Sequence, residues 1–221
     1  MNTSCDPKTP ERRTQARGRI RRELMVQAAK NLLETRSIST IKMVDVARVV
    51  QIPIGSAYHL FPDLDAIWLA VVCDFEAELH AWQSETSIGD AQSWQDIVAR
   101  YIRHGAAFFG KSPAATQLML GPFSPPSIKL KDRDNDYAIA LLLLSRVSTK
   151  FRLANLDDLP HAFFHAIEIA DVFFSLSIIR HDRIMPYYVV EATRAAVAYL
   201  EVYLPSVLSL ETRTVDIISS K

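Results

Sequence analysis

Two groups of residues carry side chains whose types and spacing could do chemistry. In the first, Tyr58 and His59 follow three small residues, Gly55, Ser56 and Ala57. Small residues let a broad, flat polyanion such as a DNA groove approach closely, and a phenol or an imidazole beside them can reach its phosphate oxygens. In the second, Phe75, Trp82, Tyr101, His104, Phe108, Met119, Tyr137 and Phe164 occur with the acids Glu168 and Asp171. Aromatic walls with a few polar groups are how small-molecule cavities are built, and aromatic residues at helical spacing are equally how a plain core is built. Asp171 lies beside Phe173 and Phe174, where a carboxylate needs a cationic ligand, an arginine or a proton. His161, His165 and Glu168 fall at i, i+4 and i+7 and could in principle hold a divalent ion, but histidines at that spacing usually have a packing role. No Walker loop, Gly-x-Ser-x-Gly elbow, dinucleotide fingerprint or His-Glu-x-x-His is present, so neither an enzyme, a metal nor a cofactor is expected.

The elements that must position these groups are helical throughout. Ile20, Leu24, Ala28 and Leu32, supported by Ala29 and Leu33, predict an amphipathic helix from Ile20, and Arg19, Arg21 and Arg22 would sit at its opening turn. Cations are unfavourable at a helix N-terminus unless a phosphate lies nearby. From Lys42 to Phe61 two short helices are predicted, one with Val46, Ala47 and Val50 on a face and one with Gly55, Tyr58 and Phe61 at i, i+3 and i+6. Gln51-Ile52-Pro53 supplies the break, because proline suits a first helical turn and biases Ile52 away from helix. The pattern is a helix-turn-helix, in which the Tyr58 ring is expected to pack on the first helix and His59 to face outward; read alone, it is also compatible with a helical hairpin in an all-helical core. A long helix follows from Asp63 to about residue 83, with Phe75, Leu79 and Trp82 late in it. Further helices are predicted over 94–109, 113–120, 134–153, 160–181 and 186–204, separated by Gly- and Pro-containing breaks. Ala138 to Leu144 is apolar all round, as for a central core helix.

Charge is distributed unevenly along the chain. The 221 residues hold 25 Lys and Arg against 25 Asp and Glu, but the first fifty carry eleven basic and five acidic residues, a net +6 that the remainder balances. A basic head on an acidic body suits a chain that binds a polyanion at one end; a solvated basic tail would look the same. Cys5 and Cys73 imply no disulfide framework. The polar, Arg-rich start is unlike a signal peptide, and the apolar runs 138–144 and 162–179 are too short or too interrupted by His165, Glu168 and Asp171 to span a bilayer. A cytoplasmic chain with no membrane partner is expected.

From about Ile20 to about Val72 the sequence resembles the N-terminal DNA-binding domain of the tetracycline-repressor (TetR) family. The matching pieces are the helix IRRELMVQAAKNLLE, then Gly55-Ser56-Ala57-Tyr58-His59-Leu60-Phe61, then Pro62-Asp63-Leu64-Asp65-Ala66-Ile67. The chain departs from the family pattern at five positions. Lys42 and Pro53 stand where Thr and Ser often cap helices, Gln51 where a turn glycine is common, Leu60 where His or Tyr often touches the DNA backbone, and Leu64 where many members place a Lys. The resemblance implies a small-molecule pocket between the later helices and a homodimer through a four-helix arrangement of 160–181 and 186–204. The surplus apolar surface of those two helices independently suggests the dimer.

The resulting expectation is an all-α chain in four parts. These are a disordered basic arm over 1–17, a helix-turn-helix domain over 18–64 extending into the helix 63–83, a helical regulatory and dimerisation domain over 65–210, and a tail over 211–221. Arg19, Lys42, Pro53, Ile54, Gly55, Ser56, Ala57, Tyr58 and His59 form the expected DNA-contacting set, and the aromatic and acidic residues named above the expected effector-binding set. The function expected is a homodimeric repressor of a palindromic double-stranded operator, released by a small molecule. The alternative, motivated by Leu60 and Leu64, is a helical ligand-binding or interaction protein whose helix-turn-helix no longer binds DNA.

Overall fold

Proline marks most of the helix starts in the computed structural model, which describes residues 10–154 and 157–211. The chain order is α1 (Pro10–Leu33), a 3-10 turn (Ile38–Thr40), α2 (Met43–Val50), α3 (Ile54–Leu60), α4 (Leu64–Ser84) and α5 (Trp94–Lys111). A three-residue α6 (Pro113–Ala115) runs into a π-helical turn (Thr116–Leu120), and α7 (Pro126–Lys150), α8 (Leu159–His181) and α9 (Pro186–Leu200) complete it. Pro113, Pro126, Pro160 and Pro186 each lie at a helix start, where the missing N–H has no intrahelical acceptor to lose. Among the described residues the fold is all-α, with one isolated antiparallel bridge between Phe151 and Leu210.

Several boundaries differ from those the sequence predicts. α1 begins at Pro10, so 10–17 are helical where an arm was expected; residues 1–9 and the tail from 212 lie outside the described residues. Arg19, Arg21 and Arg22 consequently sit in mid-helix, and the argument from the helix dipole does not apply to them. α7 starts at Pro126 rather than near Asp134, because a polar face over 127–133 is solvated helix rather than loop. It is not buried all round: Ile139, Ala140, Leu143 and Val147 are buried while Leu141 is exposed. In α1 the buried face is Met25, Ala28, Ala29 and Leu33, with Ile20 and Leu24 about half exposed.

The chain divides into two compact units inside α4, between Phe75 and Glu76, and inside α7, between Lys131 and Asp132. The first unit holds residues up to 75 together with 112–131. Its core is built from Met25 and Leu33 of α1, Val46 of α2, Phe61, and Ile67, Trp68, Val71, Val72 and Phe75 of α4. Gln117, on the π turn, fastens the junction after α1: its Nε2 donates to Leu33 O at 2.8 Å and to Arg36 O at 3.1 Å, and its Oε1 accepts from Ile38 N at 3.0 Å. These are backbone groups that neither α1 nor the 3-10 turn satisfies. Gln117→Ala should therefore lower stability by about 1–3 kcal/mol, read as a fall in the urea midpoint of the full chain with its slope unchanged.

The second unit holds 76–111 and 132 onward, with α5 packed on α8 and α9 and α8 on α9. Trp94, Tyr101, Phe163 and Leu143 are fully buried, and the Trp94 indole donates to Pro205 O at 2.9 Å. Gly105 marks a close approach of α5 to α4, since a Cβ there would meet Gln83 Nε2 at 2.9 Å; that amide donates to Tyr101 O.

Candidate nucleic-acid interface and effector cavity

The helix-turn-helix is assembled by local capping and one long-range arginine. At the start of α2, Asp45 Oδ2 accepts from the Lys42 N–H at 3.0 Å, and this bond is the main reason its carboxyl is held below the usual range; Arg36 and Arg48 also pair with it. Gln51 ends α2 in the left-handed region, φ 58°, the conformation that explains why glycine is common at that position; a side chain there costs about 1 kcal/mol. Pro53 then precedes α3 with φ −57° and supplies no side-chain cap. At the other end of α3, Arg22 Nη1 donates to Leu60 O and its guanidinium lies 4.2 Å above the Phe61 ring. Arg22 thus satisfies a carbonyl at the negative end of the helix while packing on the residue that anchors it.

This geometry sorts the predicted contact set. Lys42, Pro53, Ile54, Gly55, Tyr58 and His59 are exposed and Ser56 is half-buried. Ala57 is fully buried, its backbone N–H bonded to Pro53 O, so its methyl group belongs to the core of the head and cannot meet a ligand. Tyr58 is 54% exposed. Arg19 is exposed and lies 3.6 Å from Glu23, one turn on. Nothing in the sequence marks Arg22 off from Arg19 and Arg21; only the fold shows that it holds α3 in place.

The predicted effector set does not form a single wall. Phe75 and Met119 are buried in the first unit. Within the second, Trp82 stacks on His104 with centroids 4.5 Å apart, its indole donating to His104 O at 2.8 Å, and Phe108 lies 6.5 Å away. His104 Nδ1 meets Thr86 Oγ1 at 2.6 Å; burial holds its imidazole below the usual pKa. Tyr137 and Phe164 make an edge contact at 5.8 Å elsewhere, between α7 and α8. Tyr101 and Asp171, by contrast, line one cavity between α4, α5, α7 and α8, with Phe109, Ile139 and Phe174 as apolar walls.

Two acids that sequence reasoning missed, Asp132 and Asp136, line this cavity with Asp171. Arg133 pairs with Asp136 and with Glu168, each at 3.0 Å. Burial is the principal reason the carboxyls of Asp136 and Asp171 are pushed well above their usual range, with their carboxylate neighbours adding to it. The cavity's own volume is about 30 Å³, space for about one water molecule. The histidines considered as metal ligands have other partners: His161 lies against Tyr137, and His165 Nδ1 meets the Tyr199 hydroxyl at 2.9 Å. No cluster of three metal-ligating side chains occurs among the described residues.

An exposed second helix in a helix-turn-helix, in a chain with a separate helical unit, is the architecture of a helix-turn-helix transcriptional regulator. Residues 92–204 match the family profile described as tetracyclin repressor-like, C-terminal domain, and with just over half the chain matched it belongs to the TetR family of transcriptional regulators. A search of curated proteins finds no match. Among solved structures the fold is similar to a TetR transcriptional regulator from Rhodococcus sp. RHA1, with TM-score 0.62 and 19% identity over 84% of this chain and 97% of that one. It is also similar to a TetR-family regulator from Streptomyces coelicolor, with TM-score 0.62 and 21% identity over 85% and 99%, and to RolR in complex with resorcinol, with TM-score 0.60 and 12% identity over 89% and 100%.

Proposed function

We propose that this chain is a homodimeric, cytoplasmic repressor that binds a palindromic operator and is released by a small organic molecule carrying positive charge. The observation that carries the reading is an exposed α3 in a chain that also holds an interior cavity lined by three carboxyls, Asp132, Asp136 and Asp171. On the DNA side, Lys42, Pro53, Ile54, Gly55, Ser56, Tyr58 and His59 form the contacting surface, with Arg19 toward the phosphates. Arg22 acts as a positioning residue for α3.

On the effector side, Asp132, Asp136 and Asp171 line the cavity, and the half-exposed Arg133 pairs with Asp136 and Glu168. A positively charged guest would ionise the raised carboxyls and gain their attraction in a partly dehydrated site. An organic effector exceeds about 30 Å³ and must part the helices to enter. Because α4 and α7 each continue into the first unit, displacement of either is transmitted along its own backbone toward the head, coupling the two sites.

The homodimer rests on α8. Val172, Leu176 and Ile179 stand at i, i+4 and i+7, 58, 40 and 58% exposed, a continuous apolar stripe of the kind that marks an interface. The same helix has the length and mean hydropathy, 1.7, of a membrane span. Yet Leu159, Ala162, Phe163, Ala166, Ala170 and Phe174 along it are buried and its Glu168 is ion-paired, so a second copy is the partner that suits its remaining face.

The deciding experiment is binding of the purified chain to DNA from around its own gene, and to a random-sequence pool, across a salt series. Selective binding that weakens steeply with salt is expected. Failure in both pools would move the reading to a helical ligand-binding protein without DNA affinity, the outcome that Leu60 and Leu64 would then explain.

The raised carboxyls add a pH signature. A carboxyl with a higher pKa folded than unfolded takes up protons on folding, so stability falls as pH rises from the unfolded value through the folded one. Asp171→Asn removes one such group. The variant should be more stable than the parent by about 0.5–2 kcal/mol at about pH 8, with the difference shrinking toward about pH 4. Urea unfolding across that range measures it. An unchanged pH profile would place the carboxyl in water.

A further inference from the structure

Apart from the acidic cavity, the second unit has a groove of about 530 Å³ between α5 and the first half of α9. Its walls follow from helical spacing. Arg103, Ala106 and Ala107 occupy i, i+3 and i+4 on α5, and Pro186, Val189, Val190, Thr193 and Arg194 occupy one face of α9. The two alanines keep the α5 side low; larger residues at these positions would fill the space between the helices. Thr193 turns its hydroxyl onto Val189 O at 2.8 Å, which leaves the guanidiniums of Arg103 and Arg194 as the polar groups available to a guest. No carboxylate lines the groove.

The two arginines are not equivalent. Arg194 is held 2.7 Å from Glu191, whereas Arg103 has no ion pair or hydrogen bond among the described residues. A planar fork of donors at the rim of an apolar trough is the arrangement that recognises a carboxylate joined to a hydrocarbon body. The volume lies within the range of pockets that enclose small organic ligands. We propose that the α5/α9 groove is a binding site for an amphipathic organic carboxylate, held head-first by Arg103 with its apolar body along Ala106, Ala107, Val189 and Val190. The site has the opposite charge preference to the interior cavity between α4, α5, α7 and α8, and it does not depend on that cavity being an effector site or on the chain binding DNA.

Calorimetric titration of the full chain with decanoate, and with decyltrimethylammonium as a tail-matched cation, tests the assignment. Decanoate should bind saturably, R103E should weaken it roughly tenfold or more, and A107W should abolish it by filling the trough. Both positions are exposed, so the variants should keep the parental unfolding midpoint. D171N should leave decanoate unaffected, and R103E should leave any decyltrimethylammonium binding unaffected, which separates this site from the acidic cavity. The proposal is overturned if decanoate does not saturate or if its affinity is unchanged in R103E and A107W. It is equally overturned if A107W converts a dimer to a monomer in sedimentation, since the groove would then be covered by a second copy. Loss of operator binding with decanoate binding intact would count against the repressor alone.

Discussion

Gly55→Glu should give a protein at least as stable as the parent that has lost operator affinity by about two orders of magnitude. The two effects separate because of where Gly55 lies. It is the second residue of α3, it is exposed, and a Cβ built on it meets nothing within 4 Å. Replacing glycine inside a helix recovers up to about 1 kcal/mol of backbone entropy, and a carboxylate in the first turn faces the positive end of the helix. The fold therefore gains or stays level. The same carboxylate stands between Pro53 and Tyr58 on the surface assigned to DNA, where a like charge against phosphate costs several kcal/mol, on the order of 100-fold or more in affinity. Fluorescence anisotropy on the selected operator, paired with a urea melt, reads both. A variant that binds DNA as the parent does would remove α3 from the interface; one that unfolds would mean the groove-facing side of α3 is part of the core.

The second large effect belongs to α8. Leu176→Asp places a charge in the middle of the Val172, Leu176, Ile179 stripe, and in a two-fold interface each substitution occurs twice. Burying two uncompensated carboxylates costs more than such an interface commonly returns, so the chain should sediment as a monomer. Far-UV circular dichroism should be retained, because Leu176 is already 40% exposed within one chain. Operator affinity should fall by about 100-fold or more, since one head then binds a half-site without the effective concentration supplied by its partner. A Leu176→Asp protein that remains dimeric would move the interface away from α8.

The match between sequence and structure is close where physical control is local and poor where it is not. The break at Gln51-Ile52-Pro53 was legible because proline and a left-handed residue act on their own backbone, and Gln51 does adopt φ 58°. The starts of α4, α8 and α9 were legible because Pro62, Pro160 and Pro186 lie at or just before them, and α5 starts behind Ser93, whose Oγ accepts from Asp96 N at 3.1 Å. The outward face of α3 was misread at Ala57, which is small enough for either environment; burial there depends on the helices behind it. Arg22 was indistinguishable from Arg21 along the chain, because the carbonyl it caps is 38 residues away. How the effector set is grouped was not legible for a related reason. Aromatic spacing places a side chain on a face of its helix and cannot say which other helix that face meets, so Phe75 and Met119 fell in the first unit while Asp132 and Asp136 were overlooked.

By itself the sequence determined that this is a helical chain with a basic helix-turn-helix head, because helix periodicity, Pro and Gly punctuation and charge are properties of neighbouring residues; the TetR family came from the resemblance of the stretch from Ile20 to Val72. Only the tertiary structure decided which of those residues act together. It brought three aspartates from α7 and α8 to one cavity, set Arg103 opposite Arg194 across a groove, and drew 112–131 into the unit that holds the head. Such groupings depend on the rotational phase of each helix against its partners, which is settled by packing distant parts of the chain into shared cores.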